Sequence, residues 1–395
     1  MDKTFVTNSV KRLQFLYFDA GGGHRAAATA LKSVISEQDR PWEVTLVNVQ
    51  ELLHSLDVFR KVTGVRLEDI YNRMLARGWT LGATAGLRLM HGVIRAYHRP
   101  TVRMLTRHFT DTRPDLVVSL IPNFNRAIGY ALHAALPSAP LATILTDFAD
   151  YPPHFWIEAR TAQTPAARFL ICGTDRAVEQ ARSMGHDDTH VFRVSGMILR
   201  PNFYKPVDVD RAGARARLGL DPDRSTGLVL FGGEGSAAML DIARHLNDTQ
   251  LILICGRNRA LADKLRDQQA ARRARSDDAA PRHIEGFTAE IPYFMRLADF
   301  FIGKPGPGSI SEAMAMGLPV IVESNAWTLP QERYNTEWVR ERGVGIVLSN
   351  FRGIRDAAAE MLASLDHYRS NVAKIENRAL FEIPEILDRL LNLVP

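Results

Sequence analysis

Cysteine is scarce: Cys172 and Cys255 are the only two among 395 residues, and each lies within an apolar run that reads as a strand. A disulfide framework and a cysteine-built metal site are thereby excluded, and inert core thiols in a reducing compartment are expected. Long apolar runs are absent too. None approaches the roughly 18 residues that a spanning helix needs, and the opening MDKTFVTNSVKR lacks the apolar centre of a secretory signal, so the expected location is the cytoplasm. The glycine run Asp19-Ala-Gly-Gly-Gly-His-Arg25 has neither the later spaced glycine of a dinucleotide fingerprint nor the Gly-Lys-Ser/Thr of a P-loop. No Asp-x-Asp pair sits on a strand-end loop and no His/Cys cluster has ligand spacing, so no metal site is expected.

What is present suits two cores. A chain of 395 residues with 46% hydrophobic and 24% charged residues has the composition and length of two domains. A net charge of +5 and a pI near 9.3 lean toward anionic partners. The polar run 266–282 contains no aromatic residue and reads as a surface extension, so nucleic acid is not an expected partner.

Short apolar runs alternate with helical stretches through most of the chain. Leu13 to Phe18 breaks at the glycine run and is followed by an alanine-rich helix; Val44 to Val49, Leu116 to Ile121, Leu141 to Thr146, Phe169 to Cys172 and Val191 to Ser195 continue the pattern. This predicts a doubly wound parallel sheet. A Pro-containing link with a short charged helix, Arg211 to Leu218, precedes a second set of strands at Gly227 to Phe231, Gln250 to Cys255, Asp299 to Gly303, Val320 to Val322 and Gly345 to Leu348. Between Gly303 and Val320 the turn Lys304-Pro-Gly-Pro-Gly308 opens onto a helix from Ile310, with Ser309 expected as N-cap and Glu312 in the capping-box place. A glycine turn at a helix N-terminus presents N–H groups and the positive dipole end to an anion, which suits a diphosphate.

Three adjacent glycines followed by His24 place an imidazole at the C-terminal edge of the first sheet, where open α/β sheets bind ligands. Histidine titrates near neutrality and serves as a general base, or it makes a purely structural bond at a helix start. Thr146-Asp147 closes another strand at the same edge, ahead of His154 and Trp156. Between about 57 and 110 the charge is one-sided: Arg66, Arg73, Arg77, Arg88, Arg95, Arg99, Arg103 and Arg107 face few acids, and large apolar residues share the stretch. Such helices either pack with a solvated basic face or lie in a membrane interface against anionic lipid.

The motifs Asp19 to Arg25, Gly232-Gly-Glu-Gly-Ser236, Cys255-Gly-Arg-Asn258, Glu285-Gly-Phe287, Lys304 to Glu312 and Pro330-Gln-Glu332 occur in one order over nearly the whole chain. In that order they resemble family 28 glycosyltransferases, and within them monogalactosyldiacylglycerol synthases and processive diacylglycerol glycosyltransferases. The resemblance implies an α/β GT-B fold, two Rossmann-like doubly wound domains facing across a cleft. Residues 1–196 would be the acceptor domain, 197–225 the link, 226–370 the UDP-sugar domain, and 371–395 helices of the kind that cross back to the first domain.

The implied reaction is inverting and metal-independent: a hexose passes from a UDP-sugar, a substrate and not a cofactor, to a lipid-like hydroxyl such as diacylglycerol. An anionic membrane surface is the expected partner, with the protein peripheral on its inner face. On the donor side Glu312 matches the acid that bonds the ribose hydroxyls. Lys304, Gly306, Pro307, Gly308, Ser309, Gly233 and Ser236 match diphosphate contacts. Gly256, Arg257 and Asn258 belong to the same side, Phe287 marks where the base is read, and Gln331 and Glu332 match holders of the sugar. Gly22, Gly23 and Arg25 match the acceptor side, His24 the base, and Asp147 a second base or the group that orients His24. Four other readings stay open: N-acetylglucosaminyl transfer to a polyprenyl diphosphate, glycosylation of a soluble natural product, a UDP-sugar 2-epimerase, and a silent UDP-sugar sensor.

Overall fold

The computed structural model describes residues 10–19, 23–53, 92, 94–151, 154–206, 208–274, 279–326 and 328–393. Among them two compact units separate. Unit 1 comprises the residues up to Pro201 together with those from Arg378 onward, and unit 2 runs from Asn202 to Asn377.

Unit 1 contains, in chain order, β1 (Lys11–Tyr17), α1 (Gly23–Glu37), β2 (Trp42–Asn48), α2 (Val49–Leu52), α3 (His98–Thr112), β3 (Leu116–Ser119), α4 (Asn125–Ala135), β4 (Leu141–Ile144), β5 (Arg168–Cys172), α5 (Asp175–Ser183) and β6 (Val191–Arg193). The strands form one parallel sheet in the order β2-β1-β3-β4-β5-β6. β3 and β4 are buried at every position, which is why they read as continuous apolar runs. The winding reverses between β1 and β3, so the loops leaving those strands diverge and open a ligand edge.

Unit 2 contains α6 (Arg211–Arg217), β7 (Thr226–Leu230), α7 (Ala238–His245), β8 (Gln250–Ile254), α8 (Arg259–Arg273), β9 (Arg282–Glu285), α9 (Ile291–Leu297), β10 (Phe300–Gly303), α10 (Pro307–Ala315), β11 (Val320–Glu323), α11 (Arg333–Arg342), β12 (Gly345–Leu348), α12 (Ile354–Ala363) and α13 (Leu365–Val372). Its sheet is also parallel, ordered β12-β11-β10-β7-β8-β9, and reverses between β10 and β7. Val229, Leu251, Leu253, Phe300 and Ile302 pack with Ile354 and Met361 in the core on one of its faces. Asp299 ties two helices down, accepting from Arg211 at 2.8 Å and Arg215 at 2.7 Å of α6 and from Arg369 at 2.7 Å of α13.

After unit 2 the chain returns to unit 1 with α14 (Ala379–Asn392), which packs against α1. Glu382 accepts from the Ser195 N–H at 2.7 Å and hydroxyl at 3.0 Å, and Arg40 pairs with Glu385.

The polar run expected to be a surface extension is exposed or half-buried from Arg266 to Ala274. Its first part completes α8, and it closes on β9, an edge strand of sequence RHIE with only one apolar side chain. Arg275, Asp277 and Asp278 lie outside the described residues. The short charged helix expected in the link is α6, and Arg215 within it is buried against the Leu297 carbonyl and Asp299. Both thiols are buried and free; burial pushes Cys172 up to about 12 and Cys255 up to about 11, as inert core positions require.

Candidate active site

In unit 1 the candidate chemistry gathers at the C-terminal strand ends beside the β1/β3 reversal. α1 starts at Gly23, so His24 is its second residue, on the loop that leaves β1. Its ring is half-buried, with Nδ1 3.2 Å from the Thr146 hydroxyl just beyond β4. The imidazole lies 5.9 Å from the indole of Trp156. Loss of water pushes its pKa down to about 4, against the Leu120 carbonyl, which favours the protonated ring. The imidazole is therefore neutral through the ordinary pH range, with a lone pair free of protonation.

Trp156 is buried and joins several of these groups. Its indole Nε1 donates to Asp147 Oδ2 at 2.8 Å, and its backbone N–H donates to Asp150 Oδ1 at 2.6 Å. Gln180 of α5 clasps the Asp150 backbone, accepting its N–H at 2.8 Å and donating to its carbonyl at 2.9 Å. Burial pushes the Asp150 carboxyl up to about 6 even though backbone N–H groups of Trp156, Ile157 and Tyr151 favour its charge. His154 is exposed on left-handed backbone, φ 46°. Gly23 is exposed with open space where a side chain would stand, and Arg25 pairs with Asp19 at 3.4 Å on the surface. Gly22 lies outside the described residues.

The predicted donor residues converge on the strand-end loops of unit 2. Gly256, φ +61°, would place a Cβ 2.1 Å from the Gly233 carbonyl, so only glycine lets the loops after β7 and β8 touch. The Arg257 N–H closes that contact onto Gly233 at 2.8 Å. The Arg257 guanidinium stands 4.6 Å from the ring centre of Phe287, which is 60% exposed, and Nη1 reaches Glu234 at 3.3 Å. Asn258 caps α8 through Leu261 N–H at 3.0 Å, and Ser236 accepts from Ala238 N–H at 3.3 Å.

At β10 the expected cap is displaced. α10 begins at Pro307 with Gly306 as N-cap, and no side chain caps it. Ser309 therefore lies inside the first turn and is not the N-cap. The reason is Pro307: a proline at the first helical position has its φ preset and no N–H to satisfy, so the helix starts on it. The N-cap is a glycine with no side-chain acceptor of its own, and a Cβ added at Gly308 would meet open space. Lys304 Nζ donates to Glu332 Oε1 at 3.2 Å, and Glu332 is 7% exposed. Gln331 and Glu312 are half-buried. Asn335 of α11 holds the turn through the Pro305 carbonyl at 2.7 Å.

Of the arginine-rich region, Arg66, Arg73, Arg77 and Arg88 lie outside the described residues. Arg95, Arg99, Arg103 and Arg107 are exposed at intervals of one helical turn, while Thr101, Leu105 and Phe109 of α3 are buried. Arg126 of α4 is exposed beside them and depresses the His98 pKa, after burial of that ring. Among the described residues no helix is long and apolar enough to cross a membrane, and no group of His, Cys, Asp and Glu could hold a metal.

Thr146, bonded to His24, and Asp150, bonded to Trp156, were not singled out as site residues by the sequence. Only Thr146 had a visible signal, its place before Asp147 at a strand end.

No family model matches the chain. It is similar to a probable monogalactosyldiacylglycerol synthase 2, chloroplastic, from Oryza sativa subsp. japonica, at 26% identity over 97% of this chain and 81% of that one. It is also similar to the chloroplastic monogalactosyldiacylglycerol synthase of Spinacia oleracea, at 27% identity over 97% of this chain and 73% of that one. The crystal structure of Acinetobacter baumannii MurG superposes with a TM-score of 0.58 at 13% identity, over 97% of this chain and 99% of that one. The resemblance read from the motifs and the α/β GT-B fold class are borne out by these likenesses.

Proposed function

We propose that the protein is an inverting glycosyltransferase that moves a hexose from a UDP-sugar to a lipid-like hydroxyl, diacylglycerol or a glycosyl-diacylglycerol, at a membrane surface. The observation that carries the reading is His24, bonded to Thr146 at the ligand edge of unit 1, in the same chain as a glycine-capped helix N-terminus in unit 2. The likeness to proteins named monogalactosyldiacylglycerol synthase supports the lipid acceptor.

In this reading unit 2 holds the nucleotide sugar. Glu312 takes the ribose hydroxyls, and the N–H groups of Gly308 and Ser309 with the Lys304 ammonium take the diphosphate. Fixed donors of this kind stabilise the charge that builds on UDP as the glycosidic bond breaks. Glu332 and Gln331 take sugar hydroxyls. Unit 1 holds the acceptor at Gly22, Gly23 and Arg25. The acceptor oxygen forms its bond to the anomeric carbon from the face opposite UDP, its proton passes to the lone pair of His24, and the single displacement inverts the centre.

The test is UDP release by purified protein with a panel of UDP-sugars, with and without diacylglycerol vesicles. Release that requires the lipid is expected. Release supported equally by soluble alcohols, or epimerised sugar without UDP release, overturns the proposal.

A further inference from the structure

Several segments of unit 1 meet at one buried amide. Asn125, the first residue of α4, is 6% exposed. Its Nδ2 donates to the carbonyls of Ile121 and Trp156, each at 3.1 Å. Its Oδ1 accepts from the Ser119 hydroxyl at 2.6 Å and the Thr143 hydroxyl at 3.4 Å. A primary amide has two N–H groups and two lone pairs, so Asn125 is fully used. Those partners belong to β3, the turn after it, β4, and the loop that carries Trp156. A parallel tether runs from the N–H of Asn123, φ 67°, to the Phe155 carbonyl at 2.6 Å.

We infer that Asn125 is a positioning residue for His24: by holding the Trp156 carbonyl and the Ile121 turn, it keeps the indole and the Leu120 carbonyl against the imidazole. The inference rests on the reading of His24 as acceptor base. A cavity of about 30 Å³, lined by Asn125, Thr143, Trp156, Arg168 and His186 among others, adjoins the amide, so close packing does not fix Trp156 from that side. The hydrogen bonds do, and in a water-poor interior such a network is strong only while every member is satisfied. Around His24 stand the Thr146 hydroxyl, the Leu120 carbonyl and the Trp156 ring. The acids of adjoining segments are engaged: Asp19 with Arg25, Asp147 with the indole, and Asp150 with backbone N–H groups. Release of Trp156 therefore acts on His24 by admitting water and by freeing Asp147 and Asp150 from their Trp156 bonds, and both changes favour the protonated ring.

The test is Asn125→Ser. The His24 pKa is read by NMR of histidine-labelled protein, with the signal assigned by its loss in His24→Gln. The expected result is a rise of about one unit toward the ordinary histidine value as water returns to the ring. kcat should fall about tenfold or more from misplacement of the base, with KM for the UDP-sugar unchanged. An unmoved His24 pKa in a folded variant overturns the inference, and so does a moved pKa with unchanged kcat. A purely structural role predicts lower thermal stability alone. If Asn125→Ser does not fold, Ser119→Ala, which removes the 2.6 Å bond orienting the amide, is measured in the same way. Wild-type turnover in His24→Gln would overturn the base reading separately, while the pKa comparison still decides whether Asn125 controls the ring.

Discussion

Lys304 and Glu332, separated by 28 positions, form an ion pair of 3.2 Å in which the carboxylate is nearly buried and the ammonium is not. Two groups read as donor ligands thus hold each other. Lys304→Met strands the Glu332 carboxylate and should lower stability by about 1–3 kcal/mol, the penalty for leaving a buried polar group unmatched. Lys304→Met with Glu332→Gln should recover most of that stability and none of the UDP affinity. Urea unfolding and calorimetry with UDP separate the two effects; a double variant that binds UDP like the wild type removes Lys304 from the donor site.

His24→Ala should lower turnover by about 10²- to 10⁴-fold with UDP affinity unchanged. The base works only when deprotonated, and its pKa is pushed down to about 4, so kcat should stay flat from pH 8 to near 5 and fall below that. A limb centred at the ordinary histidine value in a pH series on stable protein contradicts the described environment of the ring.

Asp150 has its carboxyl pushed up to about 6, so the fold favours the protonated form. Stability from that preference is fully present below the unfolded value near 3.8 and is lost as pH rises through about 6. Asp150→Asn stays neutral and keeps an oxygen for the N–H groups of Tyr151 and Trp156. It should match or exceed the wild type by about 1–2 kcal/mol at pH 8 and lose the advantage below pH 5. Urea midpoints at the two pH values decide, and a large loss at pH 8 would show that the ionised carboxylate is the form the loop requires.

The stripe of Arg95, Arg99 and Arg103 should draw the protein to anionic vesicles, with each arginine near the surface contributing about 1 kcal/mol. Replacing all three with glutamine should cut flotation with phosphatidylglycerol vesicles and activity on lipid, with UDP affinity unchanged. Equal wild-type binding to neutral and anionic vesicles sinks the membrane role of this face.

The sequence exposed the architecture because parallel strands are buried on both faces: LVVS in β3, QLILI in β8 and FFIG in β10 show few or no solvent-facing positions. It concealed β9 for the converse reason, since an edge strand with Arg282, His283 and Glu285 has no apolar run to read. The donor motifs fell on strand-end loops as expected, yet the start of α10 was misplaced, because a serine three residues ahead of a glutamate looks like a cap and Pro307 decided otherwise. The surroundings of His24 were illegible. Thr146, 122 positions away, and Trp156 come to it only through sheet order, and Asn125 looks like any helix-start residue until its partners are seen.

α14 bears on how the protein is made. Leu380, Ile383, Leu387 and Leu390 are fully buried within unit 1, against a helix that begins at residue 23. During synthesis the first sheet can form early, but the α1 surface that α14 covers stays bare until the whole of unit 2 has left the ribosome. Unit 2, from Asn202 to Asn377, needs no later segment and can fold first. The unit whose first strands are made earliest is thus the last to be finished, and its apolar α1 face stays uncovered longest.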